Sequence, residues 1–225
     1  MKKLTAFIIV LTASLATVEA NKPKWEKIRA SRGISVYRQE VPGSNHLMFK
    51  GKGVVNKEMV YVLSVLGDVK NLSKWIESLR AVKELEYVSD RVRILYNHIG
   101  APWPLTDRDV VVKVKVYYDK KNQWIHIQTA NVKGHKKAPK NTGRVRIPFI
   151  KSQWSLKSIR GGKATWVEFK VHADPGGILP SWVANMASRN IPFKSITNLR
   201  RRVAQGKFNQ EVIELFQKYN DELDG

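Results

Sequence analysis

The sequence predicts one α+β domain in which a long antiparallel β-sheet is covered by helices. Between residues 82 and 173 most segments alternate apolar and polar side chains and are separated by short turns, as consecutive antiparallel strands do. Two other stretches, residues 57–68 and 178–204, repeat apolar side chains at helical spacing. The 225 residues suit a single domain with a large core.

The elements follow in order. We predict a short helix over residues 24–31 and then a hairpin around the Pro-Gly-Ser-Asn turn at residues 42–45. Two helices are predicted over residues 57–68 and 71–81, the second capped by Asn71. The later strands are predicted over residues 82–89, 92–100, 110–119, 123–132, 144–159 and 163–174, followed by helices over 178–204 and about 208–220.

The first 20 residues have the pattern of a secretory signal peptide. Lys2 and Lys3 precede an apolar run over residues 4–16, and residues 18–20 suit cleavage near Ala20. The run of about 13 residues is too short for a membrane span, which needs about 20. We therefore expect an exported, periplasmic or secreted protein with a signal peptide (1–20), one domain (21–207) and a C-terminal helical tail (208–225).

The chain is strongly basic. It has 40 Lys and Arg against 19 Asp and Glu, a net charge of +21. Removing Lys2, Lys3 and Glu19 leaves 38 basic and 18 acidic residues, or +20. Such a field attracts polyanions, and export favours an anionic membrane surface over nucleic acid, which we do not expect as a partner. The alternative is that the charge serves solubility alone.

Alternation along the strands predicts one apolar and one basic sheet face. Val110, Val112 and Val114 share the first face, whereas Lys113 and Lys115 share the second. The apolar face needs a cover, and the helices are the candidates. A solid core and a cavity between sheet and helix both fit this pattern.

Nothing in the sequence favours an enzyme. Cysteine is absent and the five histidines are dispersed, so we expect no metal site. Neither a Gly-x-Ser-x-Gly motif nor a glycine-rich phosphate loop is present. We predict no catalytic residues.

Several stretches together resemble the START (steroidogenic acute regulatory protein-related lipid transfer) family. Residues 104–118 (PLTDRDVVVKVKVYY) are similar to its Arg-Asp motif and the apolar strand that follows. Residues 173–193 resemble its junction into the C-terminal helix, 196–203 resemble the end of that helix, and 71–88 resemble the tryptophan-bearing region before the central strands.

The resemblance implies a helix-grip fold, in which a curved antiparallel sheet is gripped by a long C-terminal helix, with a hydrophobic tunnel for one lipid between them. It implies lipid binding, transfer or sensing and no cofactor. Arg108 and Asp109 match the Arg-Asp motif and are interpreted as anchors of the strand. Val114 stands where some sterol-binding members carry an arginine, which weakens a sterol assignment and predicts a more uniformly apolar tunnel.

We therefore predict that the chain binds a lipid or other hydrophobic small molecule and docks on an anionic membrane, as a monomer. Pro192 is expected to bend the last helix around the sheet. The alternatives are an enzyme of the same superfamily and a basic polyanion-binding module without a cavity. The predicted lipid-lining residues are Val110, Val112, Val114, Ile125, Ile127, Val145, Ile147, Phe149, Leu179, Trp182, Val183, Met186, Asn190, Phe193 and Ile196. The predicted membrane-docking residues are Lys113, Lys115, Arg144, Arg146, Lys170, Arg200, Arg201 and Arg202.

Overall fold

The computed structural model describes residues 23–224, so the predicted signal peptide lies outside the described residues. The described chain forms strands, α-helices and a short 3-10 helix at Val69–Lys74. The strands are β1 (Glu26–Ser31), β2 (Ile34–Val41), β3 (Ser44–Val55), β4 (Leu79–Ser89), β5 (Val92–Ile99), β6 (Arg108–Asp119), β7 (Trp124–Asn131), β8 (Val145–Arg146), β9 (Phe149–Ile159) and β10 (Ala164–Asp174). The helices are α1 (Met59–Gly67), α2 (Ser181–Ser188), α3 (Ile191–Ala204) and α4 (Gln210–Asp224).

The strands form one sheet in the order β1-β2-β3-β10-β9-β7-β6-β5-β4, and neighbours in this order are antiparallel. The short β8 lies off this path and pairs with β6 in parallel. Since β3 pairs with β10, the first hairpin closes against the last strand of the chain. The predicted α+β class with a large antiparallel sheet is confirmed.

Two of the predicted N-terminal elements are wrong. Within residues 24–31, Glu26–Ser31 form the edge strand β1 and no helix is present, because pairing with β2 outweighs the local helical pattern of so short a segment. Residues 71–81 are not a helix: the 3-10 helix ends at Lys74, and Ser78 has a positive φ of 65° just before β4 begins. Asn71 does not cap a helix, and its side chain instead donates to Asp68 Oδ2 at 2.6 Å.

The C-terminal cover is two helices, not the one predicted over residues 178–204. The α2 helix ends at Ser188, and α3 begins at Ile191 with Pro192 in its first turn. Proline lacks the N–H that an interior position must donate, whereas the first turn has no acceptor for that group. Pro192 therefore begins a helix and does not bend one.

The chain after α3 folds back onto α1. Val212 and Ile213 of α4 are buried, and Val212 faces Gly67 at the end of α1. The rings of Tyr61 and Phe208 lie 4.7 Å apart, which ties the connection before α4 to α1. The segment predicted as a tail thus contributes to the main hydrophobic cluster.

Candidate functional site

One face of the sheet meets the helices; we call it the inner face and its opposite the outer face. The α3 helix contacts β2, β3 and β10, and α1 contacts β9 and β10. The helices and this part of the sheet share one hydrophobic cluster. Its buried members include Ile125, Ile127, Leu156, Val167, Phe193, Ile196 and Leu199. The prediction that the last helical segment covers the apolar face of the sheet is therefore met, and the covering helix is α3.

The start of α3 rests directly on two glycines of β3. A Cβ at Gly51 would lie 2.9 Å from Pro192 Cβ and 3.0 Å from Ile196 Cδ1. A Cβ at Gly53 would lie 3.1 Å from Arg200 Nη2. Without side chains at these two positions, the helix approaches the strand more closely than any other residue would allow.

The second half of α3 is fastened by Arg200. Its guanidinium donates to three backbone carbonyls: those of Val54 at 2.7 Å, Arg32 at 2.7 Å and Gly33 at 3.2 Å. Burial lowers the pKa of this guanidinium from its usual value. Arg200 was predicted to dock on a membrane; that prediction is corrected, because its donors are already used inside the fold.

The inner face continues over β6 and β5, where the predicted residues Val110, Val112 and Ile147 are buried together with Leu95. Val114 packs against both this cluster and the main one. Among the remaining predicted lining residues, Phe193 and Ile196 are buried in the main cluster, whereas Leu179, Val183 and Val145 are half-buried.

Two buried polar atoms interrupt this apolar interior. Asn97 Oδ1, on β5, and Thr197 Oγ1, on α3, have no hydrogen-bond partner within the described part of the chain. Asn97 pairs across the sheet with Val110 and with Val82, so it shares the inner face with Val110. A buried polar group without a partner costs about 1–3 kcal/mol. These two atoms are therefore available to the polar part of a bound molecule.

The inner face is also less uniformly apolar than the sequence predicts. Arg93 pairs with Val114 across β5 and β6, and its guanidinium donates to Glu84 Oε2 at 3.2 Å. Asn97 and Arg93 were not among the predicted lining residues, because β5 carries polar and apolar residues on the same face and its alternation does not identify an inner side. Arg93 and Asn97 are four residues apart and so share one face of the strand, but only the pairing with β6 identifies that face as the inner one.

Trp182, Met186 and Asn190 were predicted to line the interior and instead lie on the surface. Trp182 is 67% exposed and Met186 57%, and Asn190 is exposed at the junction of α2 and α3. The prediction assumed one continuous helix through residue 190, with all its apolar residues on the same face. The chain breaks between α2 and α3, so the buried face of α3 does not continue along α2.

The face of α2 that meets the protein carries small and polar residues. Ala184 is buried, and Asn185 receives the Leu47 N–H at 2.8 Å and donates to the Asn45 carbonyl at 3.1 Å. Ser181, Ala184 and Asn185 are spaced three and four residues apart, as residues on one helix face are. This spacing was the signal in the sequence for a small, polar buried face, and the larger apolar residues nearby obscured it.

Phe149 was also predicted for the inner face and lies on the outer one. Its ring contacts His172 edge-on, with centroids 5.0 Å apart. Pro148 separates β8 from β9, so alternation does not continue from Val145 to Phe149, and Ile150 takes the inner position instead.

The Arg-Asp motif anchors β6, as the resemblance implied. The Asp109 carboxylate is fully buried on the outer side and accepts from Tyr96 Oη at 2.8 Å, Thr142 Oγ1 at 2.8 Å and two nitrogens of Arg146. Burial alone would raise the pKa of Asp109, but these hydrogen bonds outweigh it and hold the pKa below its usual value. Arg108 donates to the Thr106 carbonyl.

The predicted membrane-docking residues do not form one free surface. Arg146 is paired with Asp109, and Arg144 donates to Tyr96 Oη at 3.1 Å, because both lie on the segment that covers the outer side of β5 and β6. Their assignment as free docking residues is corrected. Lys113 and Lys115 are exposed on the outer face. Lys170, half-buried, shares that face, and Arg201 and Arg202 lie on α3.

Two surface clefts border α3. A cleft of about 590 Å³ lies between residues 73–77 and the C-terminal half of α3, and Trp75 forms part of its floor. A cleft of about 390 Å³ lies between β1 and the α2–α3 junction. Among the side chains that the structure describes, residues 23–218, no three His, Asp or Glu are grouped as a metal site would require. No helix in the same range has the length and apolar character to cross a bilayer.

Comparisons with known proteins agree with this architecture. The sequence pattern of the START domain matches residues 8–207, beginning within the predicted signal peptide. An uncharacterized protein of Pseudomonas aeruginosa is 30% identical over 200 residues, which cover 85% of this chain and 93% of that protein. Bovine phosphatidylcholine transfer protein is 28% identical over 170 residues, covering 74% of this chain and 78% of its own.

Two solved structures share the fold. The STAR-related lipid transfer protein of Xanthomonas axonopodis superposes with a TM-score of 0.72 at 29% identity, covering 80% of this chain and 98% of that chain. Human StAR-related lipid transfer protein 5 gives 0.71 at 21% identity, covering 80% and 86%. Members of the family are lipid-binding and lipid-transfer proteins. The match over most of its length shows that the chain belongs to the START domain family.

Proposed function

We propose that this protein binds one phospholipid between the inner face and α3 and carries it between membranes. The observation that supports this most directly is the pair of buried polar atoms, Asn97 Oδ1 and Thr197 Oγ1, which have no hydrogen-bond partner among the described residues. A lipid whose polar part reaches these atoms would satisfy them, while its acyl chains would contact the valines and isoleucines of the inner face.

A diacyl lipid fits this interior better than a sterol. The bovine relative is named as a phosphatidylcholine transfer protein, whose lipid has two acyl chains. Each buried methylene contributes about 0.8 kcal/mol. A dozen methylenes give roughly 10 kcal/mol, before the cost of ordering the lipid.

We also propose that the mature protein works outside the cytoplasm, on the strength of the N-terminal signal-peptide pattern, and that binding and not catalysis is its activity. Amino-terminal sequencing of the protein from its own host checks the first point. A mature N-terminus near residue 21 is expected, and an intact Met1 contradicts export by cleavage.

Native mass spectrometry of the protein purified from its own host tests the lipid proposal. We expect one lipid per chain, and extraction followed by fragmentation identifies its class. A protein that carries no lipid from its host, and that takes up none from phospholipid vesicles, would contradict the proposed function.

Conservative variants test the two polar atoms. Asn97→Leu and Thr197→Val remove a polar group while nearly keeping the side-chain shape. Without ligand, both variants should be at least as stable as the original, because an unsatisfied group is gone. Lipid affinity should fall about 2- to 13-fold, since one hydrogen bond contributes about 0.5–1.5 kcal/mol. Thr106→Val, on an exposed loop, is the matched control and should change neither quantity. Unchanged lipid affinity in both variants contradicts the assignment of these atoms.

A further inference from the structure

The outward face of α2 is apolar. Trp182 and Met186 are four residues apart, share one side of the helix and are 67% and 57% exposed. Ile178, one turn before the helix begins, is fully exposed. Monomeric proteins rarely expose several large apolar side chains together unless they meet a partner or a membrane.

The smaller cleft begins at this apolar face. It is lined by Ile28, Arg29, Met186, Arg189 and Asn190, so Met186 belongs to both features. Both arginines are exposed, and neither pairs with a carboxylate in the part of the chain that the structure describes. Two guanidinium groups beside apolar side chains, with no acidic lining residue, match a phosphate ester at an apolar boundary.

A β-bulge puts Arg29 in this cleft. Lys27 pairs with Tyr37, but the register shifts at Ile28, so Arg29 pairs with Val36 and not with Ser35. Since Val36 is buried on the inner face, the shift turns Arg29 from the outer side of the sheet toward the helices. The guanidinium carbon lies 3.5 Å from the centroid of the Phe193 ring, which holds it at the start of α3.

We propose that this cleft binds the phosphate of a phospholipid in a membrane, while Trp182, Met186 and Ile178 enter the interfacial region of the same bilayer. A short helix with an apolar outer face and flanking arginines is suited to lie in the plane of a membrane interface. The docking surface is then the α2 side of the molecule and not the lysine-bearing outer face of the sheet. The inference rests on the proposed function only in taking a membrane as the partner.

Single-cysteine labelling tests the orientation, because the chain contains no cysteine of its own. Met186→Cys carrying the fluorophore NBD should brighten on mixed phosphatidylglycerol–phosphatidylcholine vesicles and be quenched by lipids with a nitroxide in the upper acyl chain. Lys113→Cys with the same label, on the outer face, should do neither. Equal responses, or a response only from the outer-face label, overturn the proposal.

Charge removal tests the phosphate cleft. The double variant Arg29→Gln, Arg189→Gln should bind the mixed vesicles about thirtyfold more weakly, from about 1 kcal/mol for each basic residue at an anionic surface. The matched control Lys113→Gln, Lys115→Gln loses the same charge from the outer face and should bind much as the original does. An equal loss in both pairs indicates general charge attraction and overturns the assignment.

Two further measurements separate the remaining outcomes. Glycerol phosphate should not displace the protein from vesicles at millimolar concentration; displacement means a soluble phosphate ligand and overturns membrane docking. Native mass spectrometry of the arginine double variant should still show one bound lipid, because the cleft is outside the sheet–helix interior. Vesicle binding without any bound lipid would contradict the proposed function and leave the docking surface supported.

Discussion

Replacing Gly51 with alanine tests whether α3 lies on the sheet as closely as the structure shows. The new Cβ would lie 2.9 Å from Pro192 Cβ, 3.0 Å from Ile196 Cδ1 and 3.2 Å from the Pro192 carbonyl oxygen. A proline ring and a backbone carbonyl cannot turn aside as the end of a flexible side chain can. Alanine must therefore lift the start of α3 or displace β3.

The expected loss of stability at Gly51 follows from two opposing effects. Overpacking a close-packed interior costs about 1–3 kcal/mol. Because Gly51 does not have a positive φ, replacing it also restricts the unfolded chain and returns about 0.4–1 kcal/mol. The net free energy of unfolding should fall by about 1–2 kcal/mol. For a domain of this size that lowers Tm by roughly 2–8 °C.

Urea unfolding measures the stability of the Gly51→Ala variant, and hydrogen exchange over residues 192–203 measures the seating of α3. Exchange should accelerate there, and bound lipid should leave vesicle-loaded protein faster. Gly53→Ala is the matched comparison: its new Cβ would lie 3.1 Å from Arg200 Nη2, 3.3 Å from Ile196 Cγ2 and 3.4 Å from the Gly33 carbonyl oxygen, with no contact under 3.0 Å, so its loss of stability should be smaller. If Gly51→Ala unfolds at the original urea concentration with unchanged exchange in α3, the close seating is wrong.

Three further predictions concern other parts of the fold. Asp109→Asn should lower the free energy of unfolding by about 2–3 kcal/mol, which is less than for a fully buried pair because Arg146 is partly exposed. Because the pKa of Asp109 is depressed, this stability is present above about pH 4 and is lost as the pH falls further. Urea unfolding at several pH values measures both effects. Burial, with Lys52 nearby, lowers the pKa of Lys50 to about 8, so stability should rise as pH increases from about 8 toward the unfolded value near 10.4; Lys50→Met should abolish that rise. Asn185→Ala should speed hydrogen exchange throughout α2, because it removes both hydrogen bonds that fasten this helix to β3, and unchanged exchange would show that α2 is held by other contacts.

The strands were predictable because alternation is a local property. Val110 and Val112 lie on the same face whatever the sheet does elsewhere, and a run that alternates over several residues needs no knowledge of its neighbours. The alternation of side chains holds only within a continuous strand and does not carry across a residue that interrupts the strand. Pro148 did so at the β8–β9 corner, and Phe149 consequently lies on the face opposite to the one predicted.

The edges of the fold were not predictable in the same way. Glu26–Ser31 become a strand only because β2 offers an edge to pair with, and the side of the sheet that Arg29 occupies depends on a bulge that no local pattern reveals. Asn97 was missed for a related reason, since β5 is apolar at most positions and its inner side is defined by its pairing with Val110. Each of these needs a partner strand that is distant in sequence.

The error at Trp182 and Met186 is informative because folding alone gives no reason for their exposure. Burying a side chain of this size is worth about 1.5–3 kcal/mol, and the same helix instead buries Ala184 and fastens itself through the Asn185 amide. The break between α2 and α3 permits this orientation: with its own helical phase, α2 can direct its large apolar residues outward while α3 keeps Phe193 and Ile196 on the sheet. In one uninterrupted helix, the apolar residues of both segments would lie on the same face and would all point toward the sheet. Pro192, which was expected to bend a single long helix, instead begins α3, so the helix that closes the interior is separate from the one that is free to meet a membrane.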